Sequence, residues 1–185
     1  TVVVGQSDGG TQNVYVYAGD KKTTGNPVEK AGLTGGVRKS IAVTGVPTES
    51  GSVDFPEGPQ PFTLADTGTA FDRPEDGSWD PSNPNDYYFV TTGSMSKHSR
   101  LWRLSFVDAS NPALGGSITK VFEGPASDAV DSGGPKMMDN LTVNDRGQVL
   151  IQEDPGGNDY LAGIYQYDIA SDTIRRIADH DPDRF

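Results

Sequence analysis

Cysteine is absent from the 185 residues, which excludes disulfide staples, thiolate metal ligands and a thiol nucleophile. Positive charge is scarce: 15 Lys and Arg stand against 26 Asp and Glu, a net charge of −11. That average field repels nucleic acid, and no basic run or basic-aromatic interleaving offsets it. Cations are the natural partners of such a surface, although acidity also keeps an exported or halotolerant protein soluble. No apolar run approaches the length that spans a bilayer, and no signal peptide is present. The opening TVVVGQ is strand-like and lacks Met, as expected of a processed or cut chain. Familiar signatures are missing too: no GxxxxGK[ST], no GxSxG and no HExxH. The two histidines, His98 and His180, lie far apart in polar surroundings and read as loop and turn residues.

What the chain does have is turns. Gly at 23 and Pro at 13 exceed ordinary usage, as in a turn-rich β protein. The last third shows the unit most clearly. NLTV, QVLIQED, GIYQYDI and TIRRIADH read as four short strands, separated by NDRG, a Gly-rich turn and ASD, with no helical spacing. The preceding stretch repeats the pattern with EDGSWDP, DYYFVTTG, SRLWRLSFV and SITKVFEG. Aligned on their third strands, Tyr165 and Tyr167 match Trp102 and Leu104, and also Tyr15 and Tyr17. Such alternating positions share one strand face and are expected to pack between neighbouring sheets.

Four-stranded units recurring at roughly forty to fifty residues are the signature of a β-propeller; a sandwich also has short strands between turns. The expected fold is all-β: part of a β-propeller with about three four-stranded antiparallel blades, in a ring that this chain alone does not close. Residues 1–66 form a partial blade with a loop insertion, 70–124 a second blade and 138–181 a third. On this alignment TVVVGQSD is the second strand of its blade, and residues 22–60 are an insertion with one strand, RKSIAVTG. Residues 125–136 read as a connector. The rest of the same protein, supplying the missing blades, is the expected partner.

Acids and amides gather at strand ends: Glu75 and Asp76, Asp139 and Asn140, Glu153 and Asp154. The first strands of a propeller aim their ends at the axial tunnel, so these groups converge. Like charges confined in such a mouth need a counter-charge, and hard oxygen donors suit Ca²⁺. Each pair can equally cap a turn through Asx-type hydrogen bonds. Two further patterns read as incidental: DPSNPNDYY is a turn, lacking the central Gly and final Glu of an EF-hand loop, and the sequon at Asn140 lies in a strand.

Taken together, AGLTGG, FDRPEDGSWDP, NDYYFVTT, SRLWRLSF, MMDNLTVNDRGQVLIQEDPGGN and IADHDPDRF resemble the PhoX-type bacterial alkaline phosphatase and phytase-like propeller family. The resemblance runs over most of the chain from Ala31 onward. It implies a secreted or periplasmic, metal-dependent phosphoesterase that binds Ca²⁺, with iron at the tunnel mouth of the intact phosphatases. The cysteine those phosphatases hold near iron has no counterpart here. Glu75, Asp139, Asn140 and Glu153 match positions where the family places metal-facing residues, and Asp154 adjoins them. No catalytic residue is assigned. A small phosphorylated substrate is expected. Two other readings stand beside this one: a Ca²⁺-stabilised propeller that binds without turnover, and a lactonase-like Ca²⁺-dependent hydrolase.

Overall fold

Short alternating segments between Gly, Asn and Asp turns pair with their neighbours, because a two-residue side-chain period lets each strand bury one face locally. The computed structural model describes residues 1–9, 12–126 and 133–184. Gly10 and residues 127–132 of the expected connector lie outside the described residues.

Strands β1 (Val2–Gln6), β2 (Val14–Ala18), β3 (Val37–Val43) and β4 (Gln60–Ala65) form an antiparallel meander. Strands β5 (Pro74–Trp79), β6 (Asp86–Thr91), β7 (Arg100–Phe106) and β8 (Gly116–Glu123) form a second. The two are one sheet, ordered β1-β2-β3-β4-β8-β7-β6-β5, because β4 also pairs with β8. This sheet curls until β1 lies against β5, nearly closing as a barrel. Strands β9 (Met138–Val143), β10 (Gln148–Glu153), β11 (Gly163–Asp168) and β12 (Thr173–Asp179) make a separate antiparallel sheet. The architecture is all-β, that of a partial β-propeller. Among the described residues, no helix is long and apolar enough to cross a membrane.

Strand β6 shows how the layers stack. Tyr87 and Phe89 enter the core between the two meanders, with Val14, Val16, Ile41, Trp102 and Leu104. Tyr88 and Val90 enter a second core against β9–β12, with Leu101, Met138, Ile151, Tyr165 and Tyr167. A strand buried on both faces loses its apolar-polar alternation, which is why DYYFV reads as a continuous apolar run. Trp102 with Leu104, and Tyr165 with Tyr167, therefore hold equivalent places in successive cores. Tyr15 and Tyr17 alternate with Val14 and Val16 and so take the opposite face of β2.

Two elements differ from the sequence reading. Residues 22–60 hold a capped turn of helix, α1 (Pro27–Lys30), where Asn26 and Glu29 form a capping box. Strand β4 arises from QPFTLA, whose proline argues against a strand interior; Pro61 sits in the ladder opposite Ser117, and its carbonyl accepts from the Thr44 amide. The other local readings hold: Asp80 and Asn83 make Asx turns in DPSNPNDYY, and His98 is a loop residue bonded through Nδ1 to the Gly124 carbonyl at 2.6 Å.

The loop between β3 and β4 is anchored by charge. Arg100, fully buried, pairs with Glu49, with Glu123 at 2.6 Å, and with the carbonyls of Ser50 and Val53 at 3.0 and 2.7 Å. Glu49 also accepts the Asp72 amide at 3.0 Å, and Phe55 of the same loop packs edge-on against Trp102 at 4.7 Å. Removing one partner of a buried pair leaves an uncompensated charge. Arg100→Met should therefore destabilise the fold by about 3–5 kcal/mol in urea unfolding. Arg100→Met combined with Glu49→Leu should recover part of that loss. A cost below about 1 kcal/mol, the range of exposed pairs, would mean that the network is not the anchor.

Candidate functional site

The first strands of the second and third blades begin alike. Arg73 (φ 59°) precedes β5 and Met137 (φ 45°) precedes β9, both in the left-handed region that non-glycine residues seldom adopt. Each carbonyl is claimed by the residue just past the neighbouring second strand: Thr92 N–H donates to Arg73 O at 2.9 Å, and Asp154 N–H to Met137 O at 3.0 Å. This shared geometry makes Glu75 and Asp139 equivalent, each the second residue of its strand. Asp8 and Asp154 are alike as well, the first following β1 and the second β10, each just before a Gly-containing turn.

These carboxylates meet at one end of the sheets. Asp8 Oδ1 accepts from Arg73 Nε at 2.9 Å, and Glu75 Oε1 lies 3.5 Å from Arg73 Nη2. Burial, reinforced by the charges of Asp139 and Asp8, pushes Glu75 up to about 7, against the pull of Arg73. Burial and then the charge of Asp154 raise Asp139 as well. Asp76 is tied down, with Oδ1 on the Gly77 amide at 2.8 Å and Oδ2 on the Leu141 amide at 3.1 Å. The mouth therefore holds Asp8, Glu75, Asp76, Asp139 and Asp154 around one guanidinium. Its negative charge is under-compensated.

The adjacent acids Glu153 and Asp154 do different work. Glu153 is buried and accepts from Lys136 N at 2.5 Å, Gly163 N at 2.7 Å and Tyr160 Oη at 3.0 Å. It thereby ties the start of β9 and of β11 to the end of β10, and its oxygens face those donors, not the acidic mouth. Asp154 caps its turn at the Gly156 amide at 2.8 Å and faces Asp139. Asn140 is exposed on β9 and lines a cleft with Asp154. Of the five residues expected to hold metal, Glu75, Asp139 and Asp154 act on one another, Asn140 adjoins them and Glu153 is committed elsewhere. Asp8 and Arg73 join the site unexpectedly. The signal for Asp8 is the likeness of QSDGG to QEDPGG, which puts an acid just past a strand end in both.

The donors are hard oxygens, which suit Ca²⁺, and the raised Glu75 and Asp139 mark charge that a cation would relieve. Among the described residues, however, no group of three or more His, Cys, Asp or Glu side chains is placed so that it could hold a metal ion.

The raised acids have a pH signature. Between its ordinary value near 4.5 and about 7, Glu75 keeps a proton in the folded chain that the unfolded chain has released. Folded protein then binds more protons, so stability falls as pH rises through that window. Glu75's contribution is fully present below about 4.5 and lost above about 7. Urea midpoints in chelator should decline across the window for the wild type and decline less for Glu75→Gln. Identical pH profiles would show that Glu75 titrates normally.

No protein-family model and no curated protein sequence match the chain. Its structure is similar to that of Pseudomonas fluorescens PhoX in complex with vanadate, a transition state analogue. The TM-score is 0.59 at 14% identity, over 95% of this chain and 43% of that one. The chain thus spans less than half the length of that protein, and the likeness is one of fold: a PhoX-like propeller architecture.

Proposed function

We propose that this chain forms part of a metal-dependent phosphoesterase acting on small phosphate esters. The observation that carries the reading is the convergence of Glu75 and Asp139, from equivalent places on two blades, with Asp8 and Asp154 around Arg73. It is supported by the fold shared with a protein that takes vanadate, a transition state analogue. A divalent ion here, Ca²⁺ by the donor chemistry, would polarise the phosphoryl oxygens of an ester. Glu75, Asp139 and Asp154 would hold that ion; polypeptide beyond these blades, water or the phosphate itself would complete its shell. Iron belongs to this reading only in the intact protein, through ligands that polypeptide beyond these blades would add. Arg73 holds Asp8 and Glu75 in place, and its planar fork is suited to orient a phosphoryl oxygen once a cation has taken over those carboxylates. An exported, periplasmic or secreted location goes with this reading, as does closure of the ring by further blades.

A second reading is favoured by one feature: the acids belong to two separate sheets, so a bound ion would hold the blades in register without turnover. Two measurements separate the readings. Excess Ca²⁺ should stabilise the protein by about 2.7 kcal/mol at a hundredfold over its dissociation constant, and the double variant Glu75→Gln, Asp139→Asn should lose that gain. An aryl phosphomonoester should be hydrolysed in Ca²⁺ and not in chelator, and the same variant should abolish turnover. Stabilisation without hydrolysis in the full-length protein would leave the scaffold. An unchanged gain in the variant would put the ion elsewhere.

A further inference from the structure

A cleft of about 660 Å³, within the range of small-molecule sites, lies at the end of the third blade and shares Asp154 with the acidic mouth. The turn after β10 and the segment around His180 form its sides. Asn140, Gln152, Asn158 and Asp159 give it amide and carboxylate groups, and Asp154 is common to the cleft and the mouth. Tyr160 forms part of the wall, its hydroxyl fixed on buried Glu153 at 3.0 Å, while Pro155 and Leu161 add apolar surface. Among the described residues, no lysine or arginine lines the cleft.

We propose that this cleft receives the alcohol portion of the ester, takes a neutral, hydroxyl-rich group such as a sugar or glycerol moiety, and rejects one bearing a second anion. The inference rests on the phosphoesterase reading. Side-chain amides both donate and accept, as hydroxyls do, and the apolar walls suit the C–H faces of a polyol. A second anion would meet Asp159 with no lysine or arginine among the described lining residues to offset it, so the lining selects by repulsion.

Glucose and gluconate, similar in size and different in charge, probe the cleft without any turnover. In the full chain with Ca²⁺, glucose should shift the side-chain amide NMR signals of Gln152 and Asn158, and gluconate should not. In turnover, glucose 6-phosphate should exceed 6-phosphogluconate in kcat/KM by about tenfold or more. Asp159→Lys should narrow that ratio to about threefold or less by raising kcat/KM for 6-phosphogluconate. Equal shifts by both probes, no shift by glucose, or a ratio that Asp159→Lys leaves unmoved would each overturn the assignment. Shifts by glucose alone, with neither ester hydrolysed, would sustain the cleft's preference for neutral polyols and sink the phosphoesterase reading. Hydrolysis without charge discrimination would do the reverse.

Discussion

A single guanidinium organises one flank of this protein. Arg100 begins β7 at the point where the β3–β4 loop crosses over the core, and no water reaches it. A buried cation is tolerable only when its donors are satisfied. Here Glu49 and two loop carbonyls meet it from one side and Glu123, at the end of β8, from the other. The loop that carries Glu49 also brings Phe55 onto Trp102. Its path in turn sets Asp72, whose amide donates to Glu49 and whose carboxylate meets Lys97 at 2.8 Å. Arg73 is the next residue along. The charge network behind the core and the charged mouth in front of it are thus consecutive in the chain. The placement of the mouth's cation inherits its precision from a clasp that is itself buried.

The mouth shows the opposite electrostatic condition. At Arg100, a fully buried cation meets two carboxylates, and Lys120 adds a second positive charge at Glu123. Around Arg73 five acids share one cation across four strand ends, and Glu75 answers by holding a proton up to about pH 7. Structural ion pairs tend toward the first arrangement. The second raises the energy of the resting protein and lowers that of any cation-bound state, as expected where strain or charge is kept for a ligand.

Much of this was legible in the sequence. The four strands of the third blade follow from NDRG, ASD and strict alternation, and the equivalence of Trp102 with Tyr165 needs only parity. Strand β4 was not legible, because Pro59 and Pro61 mark a loop by every local criterion. Its partners are β3 along one side and, on the other, the β8 edge, distant in sequence. Glu153, expected in the mouth, has its oxygens on Lys136, Gly163 and Tyr160, and strand parity accounts for this. It has the phase of Val149 and Ile151, both buried, so the same alternation that identifies the strand turns its last acid inward. Asp154, one residue on, is free to face the mouth. The left-handed backbone at Arg73 and Met137 had no local signal at all, since neither is glycine and only tertiary packing holds them there.

Strand β4 has a mechanical consequence. By pairing with both β3 and β8 it welds the first two blades into one continuous hydrogen-bonded body. The third blade joins that body through side chains: a packed core and a few bonds such as Thr92 Oγ1 to Met138 O, Ser99 Oγ to Met138 N and Asp76 Oδ2 to Leu141 N. No ladder crosses that seam among the described residues. Glu75 sits on one bank and Asp139 on the other. The molecule's natural cleavage plane therefore passes between the two acids. An ion shared by them would act as a rivet across it, and its loss would free the third blade to breathe as a unit while the welded pair stays rigid.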